Sequence, residues 1–257
     1  MNELSRLDGC DLPFSRAPTF HRMLAGGRSN QNLLIEADGE LWVLRLSTPN
    51  VSEFGIDRYA EELALSQAAT SGIAPRIAFA SRSNGILITE HIDGRHWAPG
   101  ALSENAKLEQ IVALVERVHQ LEINIPITDY YQHAENYWTQ LANSGDEIPA
   151  SLKLMRETIN RGRCEDPSPK LAARLCHRDV SPSNVIEKDG RLFLLDWEYA
   201  ARGTATFDFA SIQFEWSVSA DRLADVAGLS LEQLKFAYDL YRYTCQLWEQ
   251  LNNRLQR

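Results

Sequence analysis

The stretch Leu175–Glu198, LCHRDVSPSNVIEKDGRLFLLDWE, decides how this chain is read. It carries His177-Arg178-Asp179, then Asn184 five residues past the aspartate, then Asp196 at the end of an apolar run. Phosphoryl transfer from a nucleotide needs such a set. One aspartate accepts or orients the proton of the acceptor hydroxyl, and an Asn and a second Asp hold magnesium against the phosphates. Asp, Ser, Pro and Asn are also ordinary turn formers, so composition alone does not decide. The flanks do: Val185-Ile186 and Arg191–Leu195 enclose Asp189-Gly190, a two-residue hairpin signal. That hairpin fixes the loop before it and presents Asp196 at its far end. Asp179 is the candidate catalytic base, Asn184 and Asp196 are the candidate magnesium ligands, and His177 is read as structural.

At 257 residues the chain is one large domain or two small lobes. Apolar residues make up 44% and charged residues 24%, as in ordinary globular proteins. No apolar run approaches a membrane span, and the start MNELSRLDG lacks a basic-then-apolar leader pattern, so no membrane partner is expected. The four cysteines, Cys10, Cys164, Cys176 and Cys245, are scattered and form no C-x-x-C pair, which predicts buried reduced thiols and a cytoplasmic protein. The net charge of −9 argues against a nucleic-acid partner and is compatible with a cationic small substrate. A homodimer is left open.

Upstream, residues 1–17 read as a polar lead-in with room for a short helix. Thr19–Leu24, Asn32–Glu36 and Leu41–Leu46 read as strands of a meander, joined by Ala25-Gly26-Gly27-Arg28-Ser29-Asn30 and by Asp38-Gly39. The Gly26-Gly27 turn lets backbone N–H groups approach a phosphate because no Cβ stands in the way, although such a pair also serves plain hairpins. Arg45 is a lone cation in the apolar strand Trp42-Val43-Leu44-Arg45-Leu46, and a buried cation needs a partner. It reads as the planar, always-charged contact to the α- and β-phosphates. The helix expected from about Asp57 to Ser71 offers Glu61 or Glu62 as its acidic partner. Gly72-Ile73-Ala74-Pro75 ends that helix.

Arg76–Ala80 and Ile86–Thr89, joined through Asn84-Gly85, complete a five-stranded antiparallel sheet by residue 90. Backbone groups near Glu90 and Ile92 are the candidate adenine contacts. The boundary falls here, giving a nucleotide-binding lobe over residues 1–90 and a helical lobe with the catalytic loop and acceptor pocket over 91–257. Ser103–Leu121 is predicted helical, with Leu108, Ile111, Val112, Val115 and Val118 on one stripe and His119 at its edge in a structural role. Tyr130–Asn143, Ala150–Arg161 and Thr206–Val218 are further helices, Asp166–Pro169 is a loop, and a polar break follows Val218. The last helix opens with the capping box Ser230-Leu231-Glu232-Gln233 and buries Leu234, Ala237, Tyr241, Thr244, Trp248, Leu251 and Leu255. The fold class is α+β.

With glycine turn, strand cation, helix Glu, HRD-x4-N and D-W-E in this order, the chain resembles the choline kinase/aminoglycoside phosphotransferase family of protein-kinase-like enzymes, over about residues 19–250. Gly26-Gly27-Arg28-Ser29-Asn30 is similar to the GG-x-[ST]-N turn of choline kinases, and Arg45 matches the arginine they often carry. Asp196-Trp197-Glu198-Tyr199, then Phe207-Asp208-Phe209-Ala210 and Phe214-Glu215-Trp216, resembles their D-[FW]-E-Y…FD[IL]…E-W run. The resemblance implies a two-lobed kinase-like fold that uses ATP and Mg²⁺, with Arg45 and the turn residues Gly26, Gly27, Ser29 and Asn30 on the nucleotide. It implies Asp208 as a brace for the catalytic loop, and Glu215, Trp216 and Glu198 on the acceptor side. A carboxylate near aromatic faces suits a quaternary ammonium. Tyr241 and Trp248 read equally as pocket or core.

The D-W-E-Y-A wording equally resembles bacterial thiamine kinases. The expected activity is therefore phosphorylation of a small, cationic alcohol such as choline or ethanolamine, with thiamine and then an aminoglycoside or amino sugar as the other acceptors. Eleven residues separate Asp196 from Asp208, too few for the activation loop of a protein kinase. A non-catalytic nucleotide-binding protein on the same fold is the reading from a different class, and the intact Asp179, Asn184 and Asp196 argue against it.

Overall fold

The computed structural model describes residues 4–24, 30–47, 54–163 and 172–255. In chain order these form strands β1 (Thr19–Met23), β2 (Asn30–Ala37) and β3 (Glu40–Ser47), helix α1 (Arg58–Thr70), and strands β4 (Ile77–Ser81), β5 (Ile86–Glu90) and β6 (Arg95–His96). Helices α2 (Asn105–His119), α3 (Tyr130–Asn143) and α4 (Ala150–Gly162) follow, then strands β7 (Arg174–Cys176), β8 (Val185–Lys188), β9 (Arg191–Leu194) and β10 (Ala201–Gly203). Helices α5 (Thr206–Glu215), α6 (Ala220–Ala227) and α7 (Leu231–Leu255) complete it. The elements gather into two compact units, one drawn from residues 1–96 and 185–198, the other from 97–184 and 199–257.

The first unit is built on a five-stranded sheet of order β1-β2-β3-β5-β4 in which all neighbours are antiparallel. Between β2 and β3, Asp38 and Gly39 take φ of 53° and 81°, the doubly positive turn whose twist matches a hairpin, and Ala37 pairs with Glu40 across it. Side chains alternate across a strand, so Leu33, Ile35, Leu44, Leu46, Ile86 and Ile88 share one buried face. The lead-in, expected to be polar with room for a short helix, carries a short 3-10 helix at Ser5–Leu7 and covers that face. Leu7 is buried against it, with Leu4, Cys10, Leu12 and Phe14 packed alongside. Leu4, Leu7 and Cys10 recur every three residues, but a single helical turn is too short a run for periodicity to mark as buried. Arg6 holds the segment down by donating from Nη1 to Ser47 O at 3.2 Å and from Nη2 to Asn84 O at 2.6 Å.

Helix α1 starts where Asp57 accepts from the backbone N–H groups of Tyr59 at 2.9 Å and Ala60 at 3.2 Å, an N-cap. It buries Ala60, Ala64, Leu65 and Ala68. Arg45, one residue out of phase with Leu44 and Leu46, lies on the α1 side of β3. A second, three-stranded sheet has the order β6-β8-β9 and belongs to the same unit. Asp189 and Gly190, at φ of 51° and 72°, close its hairpin. A Cβ on Gly94 would stand 2.6 Å from Glu187 O, so β6 can approach β8 this closely only through a glycine.

In the second unit the expected α2 stripe of Leu108, Ile111, Val112, Val115 and Val118 is buried. Helix α7 packs against α3, α4, α5 and α6. Its capping box is formed, with Gln233 N donating to Ser230 Oγ and Ser230 N donating to Gln233 Oε1, each at 3.2 Å. Leu234, Ala237, Tyr241, Thr244 and Leu251 are buried, and Trp248 is half-buried.

Two expectations are corrected. Helix α5 ends at Glu215 rather than Val218, because Ser217 takes a left-handed φ of 55°. The polar break after it holds α6, which buries Leu223 and Ala224 and is closed by Gly228 at φ 63°. Eight residues with two buried side chains give too short a stripe to read. The two- and three-residue strands β6, β7 and β10 escape notice for the same reason. Asp166–Pro169, Cys164 and the Leu255 side chain lie outside the described residues. Cys10 and Cys245 are half-buried and Cys176 is buried, all as free thiols.

Candidate active site

In the first unit, β3, α1, the start of β2 and the segment after β9 bring charged groups together. Arg45 Nη1 donates to Glu61 Oε1, and Arg45 Nη1 lies 3.6 Å from Asp196 Oδ1. Arg58 Nη1 donates to Glu61 Oε2 at 2.7 Å and to Glu198 Oε2 at 3.3 Å, while Arg58 Nη2 donates to Asn30 Oδ1 at 3.0 Å. Asn30 Nδ2 completes the ring by donating to Glu198 Oε2 at 2.7 Å. Arg45, Glu61, Glu198 and Asn30 are all buried.

Burial alone would lower the Arg45 pKa. The hydrogen-bonded Glu61 carboxylate outweighs it, helped by Asp196 and Glu198, and the pKa is raised. Burial would likewise raise the Glu61 pKa, but Arg45 and Arg58 hold it below its ordinary value. Both groups are fixed in their charged forms. Glu62, the other candidate partner, lies 3.4 Å from Arg82 instead. Asp196 has a φ of 57°, uncommon for a residue with a side chain, at a turn directly after the hairpin.

Glu90 N donates to Arg76 O at 2.8 Å, its carboxylate takes Arg76 Nε at 2.9 Å, and Ile92 is buried. Gly26, Gly27 and Ser29 lie outside the described residues.

The second unit holds the loop 177–184. Arg178 takes a φ of 71°, a conformation that costs on the order of 1–3 kcal/mol unless its surroundings impose it. They do. Fully buried Asp208 accepts from Arg178 N at 2.6 Å and from His177 N at 3.0 Å, and His119 Nε2 lies 3.0 Å from its Oδ2. Ser211 Oγ takes Val180 N at 3.2 Å, and Trp216 Nε1 donates to Val180 O at 2.8 Å. Asp208 and Ser211, one turn apart on α5, and Trp216 just past its end together clamp the loop backbone. The Arg178 guanidinium stacks 4.6 Å from the Tyr130 ring centroid and 5.6 Å from that of Phe207.

Within the loop, Asn184 Nδ2 donates to Asp179 Oδ2 at 2.8 Å and to Asp179 O at 3.1 Å. His177 is buried, and its Nδ1 accepts from Asp179 N at 3.3 Å. Glu215 Oε1 accepts from Tyr241 OH at 3.1 Å, with Phe207 and Phe214 ring centroids 5.3 and 5.8 Å from the Tyr241 ring. Burial first, then Cys245, Asp179 and Glu215, push the Tyr241 hydroxyl well above its ordinary pKa. Trp248 Nε1 donates to Tyr199 OH at 2.7 Å. Trp216 is buried with its indole N–H engaged by the loop, and Glu198 is engaged by Asn30 and Arg58. The sequence reading passed over Arg58 and Ser211. Only the Arg58/Glu61 spacing of three, one turn of helix, could have pointed to the first.

The five-stranded antiparallel sheet with one helix and the helical second unit make a protein-kinase-like fold, the fold of small-molecule kinases. Residues 21–234 match the family model described as choline/ethanolamine kinase, and the chain belongs to that family. Protein LicA of Haemophilus influenzae is 27% identical over 199 residues, which is 76% of this chain but 58% of that protein. The chain therefore matches less than two thirds of that relative's length. Thiamine kinase of Escherichia coli is 24% identical over 239 residues, 93% of this chain and 77% of that protein. The crystal structure of choline kinase LicA from Streptococcus pneumoniae superposes with a TM-score of 0.78 at 20% identity, covering 91% of this chain and 87% of that one. Among the described residues, no helix is long and apolar enough to cross a membrane.

Proposed function

We propose that this protein transfers the γ-phosphate of ATP to the hydroxyl of a small cationic alcohol, choline or ethanolamine foremost. The observation that carries the choice of acceptor is the Glu215–Tyr241 pair beside Phe207 and Phe214, at a hydroxyl whose pKa also responds to the charge of Asp179. Carboxylates and ring faces both attract a quaternary ammonium, through charge and cation–π interaction. The likeness to choline kinases supports the same reading. The likeness to a thiamine kinase keeps a thiazolium alcohol as the second one.

Asp179 orients the acceptor hydroxyl and takes its proton as the oxygen attacks in line. Asn184 holds the Asp179 carboxylate through its amide N–H, which leaves the amide oxygen for a cation. That oxygen and the Asp196 carboxylate would each offer a hard oxygen donor, the kind that suits Mg²⁺. Magnesium, when bound, offsets charge on the phosphates. Arg45, held by Glu61, contacts the phosphates together with residues 26–30, and backbone groups at Glu90–Ile92 receive adenine. Asp208 and Trp216 keep the loop in its strained form, a positioning role.

The test is steady-state kinetics of Glu215→Gln. The acceptor KM should rise about tenfold, or about 1.4 kcal/mol, with the ATP KM unchanged. An unchanged acceptor KM removes Glu215 from the pocket.

A further inference from the structure

We infer that Arg58 is a positioning residue for nucleotide binding, joining three segments that the proposed function assigns to the nucleotide. It grips the start of β2 through Asn30 Oδ1 at 3.0 Å and the partner of Arg45 through Glu61 Oε2 at 2.7 Å. It grips the segment carrying Asp196 through Glu198 Oε2 at 3.3 Å. One planar guanidinium meets all three because its donors fan out in a fixed fork, which a lysine ammonium cannot reproduce.

Charge supports the same conclusion. Glu61, Asp196 and Glu198 set three carboxylates against the two guanidiniums of Arg45 and Arg58. Without Arg58 it would be three against one, around a position meant to receive a polyanion. Glu61 would then be left to Arg45 alone, and Glu198 would keep only the Asn30 amide among these partners. As the first residue of α1, Arg58 also sits at the positive end of the helix, where a cation is disfavoured. The two carboxylates it bridges offset that cost.

This inference rests on the nucleotide reading, and calorimetric titration with Mg·ADP separates the two. The proteins compared are wild type, Arg58→Met, Arg58→Lys and the double variant Arg58→Met/Glu198→Gln, each checked for its unfolding midpoint without nucleotide. Arg58→Met should bind Mg·ADP at least tenfold more weakly and Arg58→Lys at least threefold. The added Glu198→Gln should recover part of the loss by removing one of the three carboxylates. The acceptor KM should stay within twofold in Arg58→Met and Arg58→Lys where they turn over, an outcome that general loosening of the fold would not give. If Arg58→Met does not fold, Arg58→Lys decides alone. Variants that bind Mg·ADP within twofold of wild type overturn the inference and leave the functional reading standing. Wild type that does not bind Mg·ADP overturns the functional reading and the inference with it.

Discussion

Replacing Glu61 by Gln tests the charged cluster of the first unit. The two carboxylate oxygens of Glu61 serve two arginines, Oε1 to Arg45 and Oε2 to Arg58, with the Glu61 side chain only 3% exposed. A glutamine keeps one acceptor oxygen and turns an NH₂ donor toward the other guanidinium. One charge-assisted bond, worth about 1.5–3 kcal/mol, is lost and a donor faces a donor. Removing one member of a buried ion pair costs about 3–5 kcal/mol. Here Arg45 keeps Asp196 at 3.6 Å and Arg58 keeps Glu198 at 3.3 Å, so the loss should be about 2–4 kcal/mol. The assay is urea unfolding of both proteins across pH.

The sign of the pH dependence follows from the lowered pKa of Glu61. Its contribution is fully present above the unfolded-state value near 4.5 and is lost as pH falls through the lower folded value. The gap between the two proteins should be widest at neutral pH and should narrow in acid. A neutral-pH difference below about 0.5 kcal/mol, the usual range of an indifferent surface change, would refute the reasoning. So would a difference that grows on acidification.

Leu7→Ala should cost about 2–3 kcal/mol in the same assay, since it leaves a hole over the Leu33/Ile35/Leu44/Leu46 face. A loss under about 0.5 kcal/mol would mean that the N-terminal segment does not pack on the sheet. Asp208→Asn weakens the acceptor for two backbone N–H groups and for His119, so it should lower stability by about 2–4 kcal/mol. It should also lower kcat more than tenfold with both KM values nearly unchanged, and an unchanged kcat would show that the loop holds without Asp208.

What the sequence disclosed was whatever a local rule governs. The strands around Asp38-Gly39 and Asp189-Gly190 were legible because two-residue turns with positive φ admit few residue types. Arg45 stood out because a cation in an apolar strand must be partnered. Its partner could be narrowed only to Glu61 or Glu62, since the small residues along α1 leave the phase of the buried face weakly marked. Contacts between distant residues were not legible. His119 reaches Asp208 across 89 positions, and Tyr241 reaches Glu215 across 26. No spacing rule reaches that far. Arg58 reads as one more charge on a helix until Glu198, 140 positions later, is seen beside it.

The most direct test of the proposed activity is ADP release from Mg·ATP by wild type and Asp179→Asn, offered choline, ethanolamine, thiamine and kanamycin in turn. The account predicts turnover on a cationic alcohol, reduced in Asp179→Asn by about 10²–10⁴-fold while nucleotide binding persists. Equal turnover in Asp179→Asn, or silence of the wild type on every acceptor while it binds Mg·ATP, would contradict it.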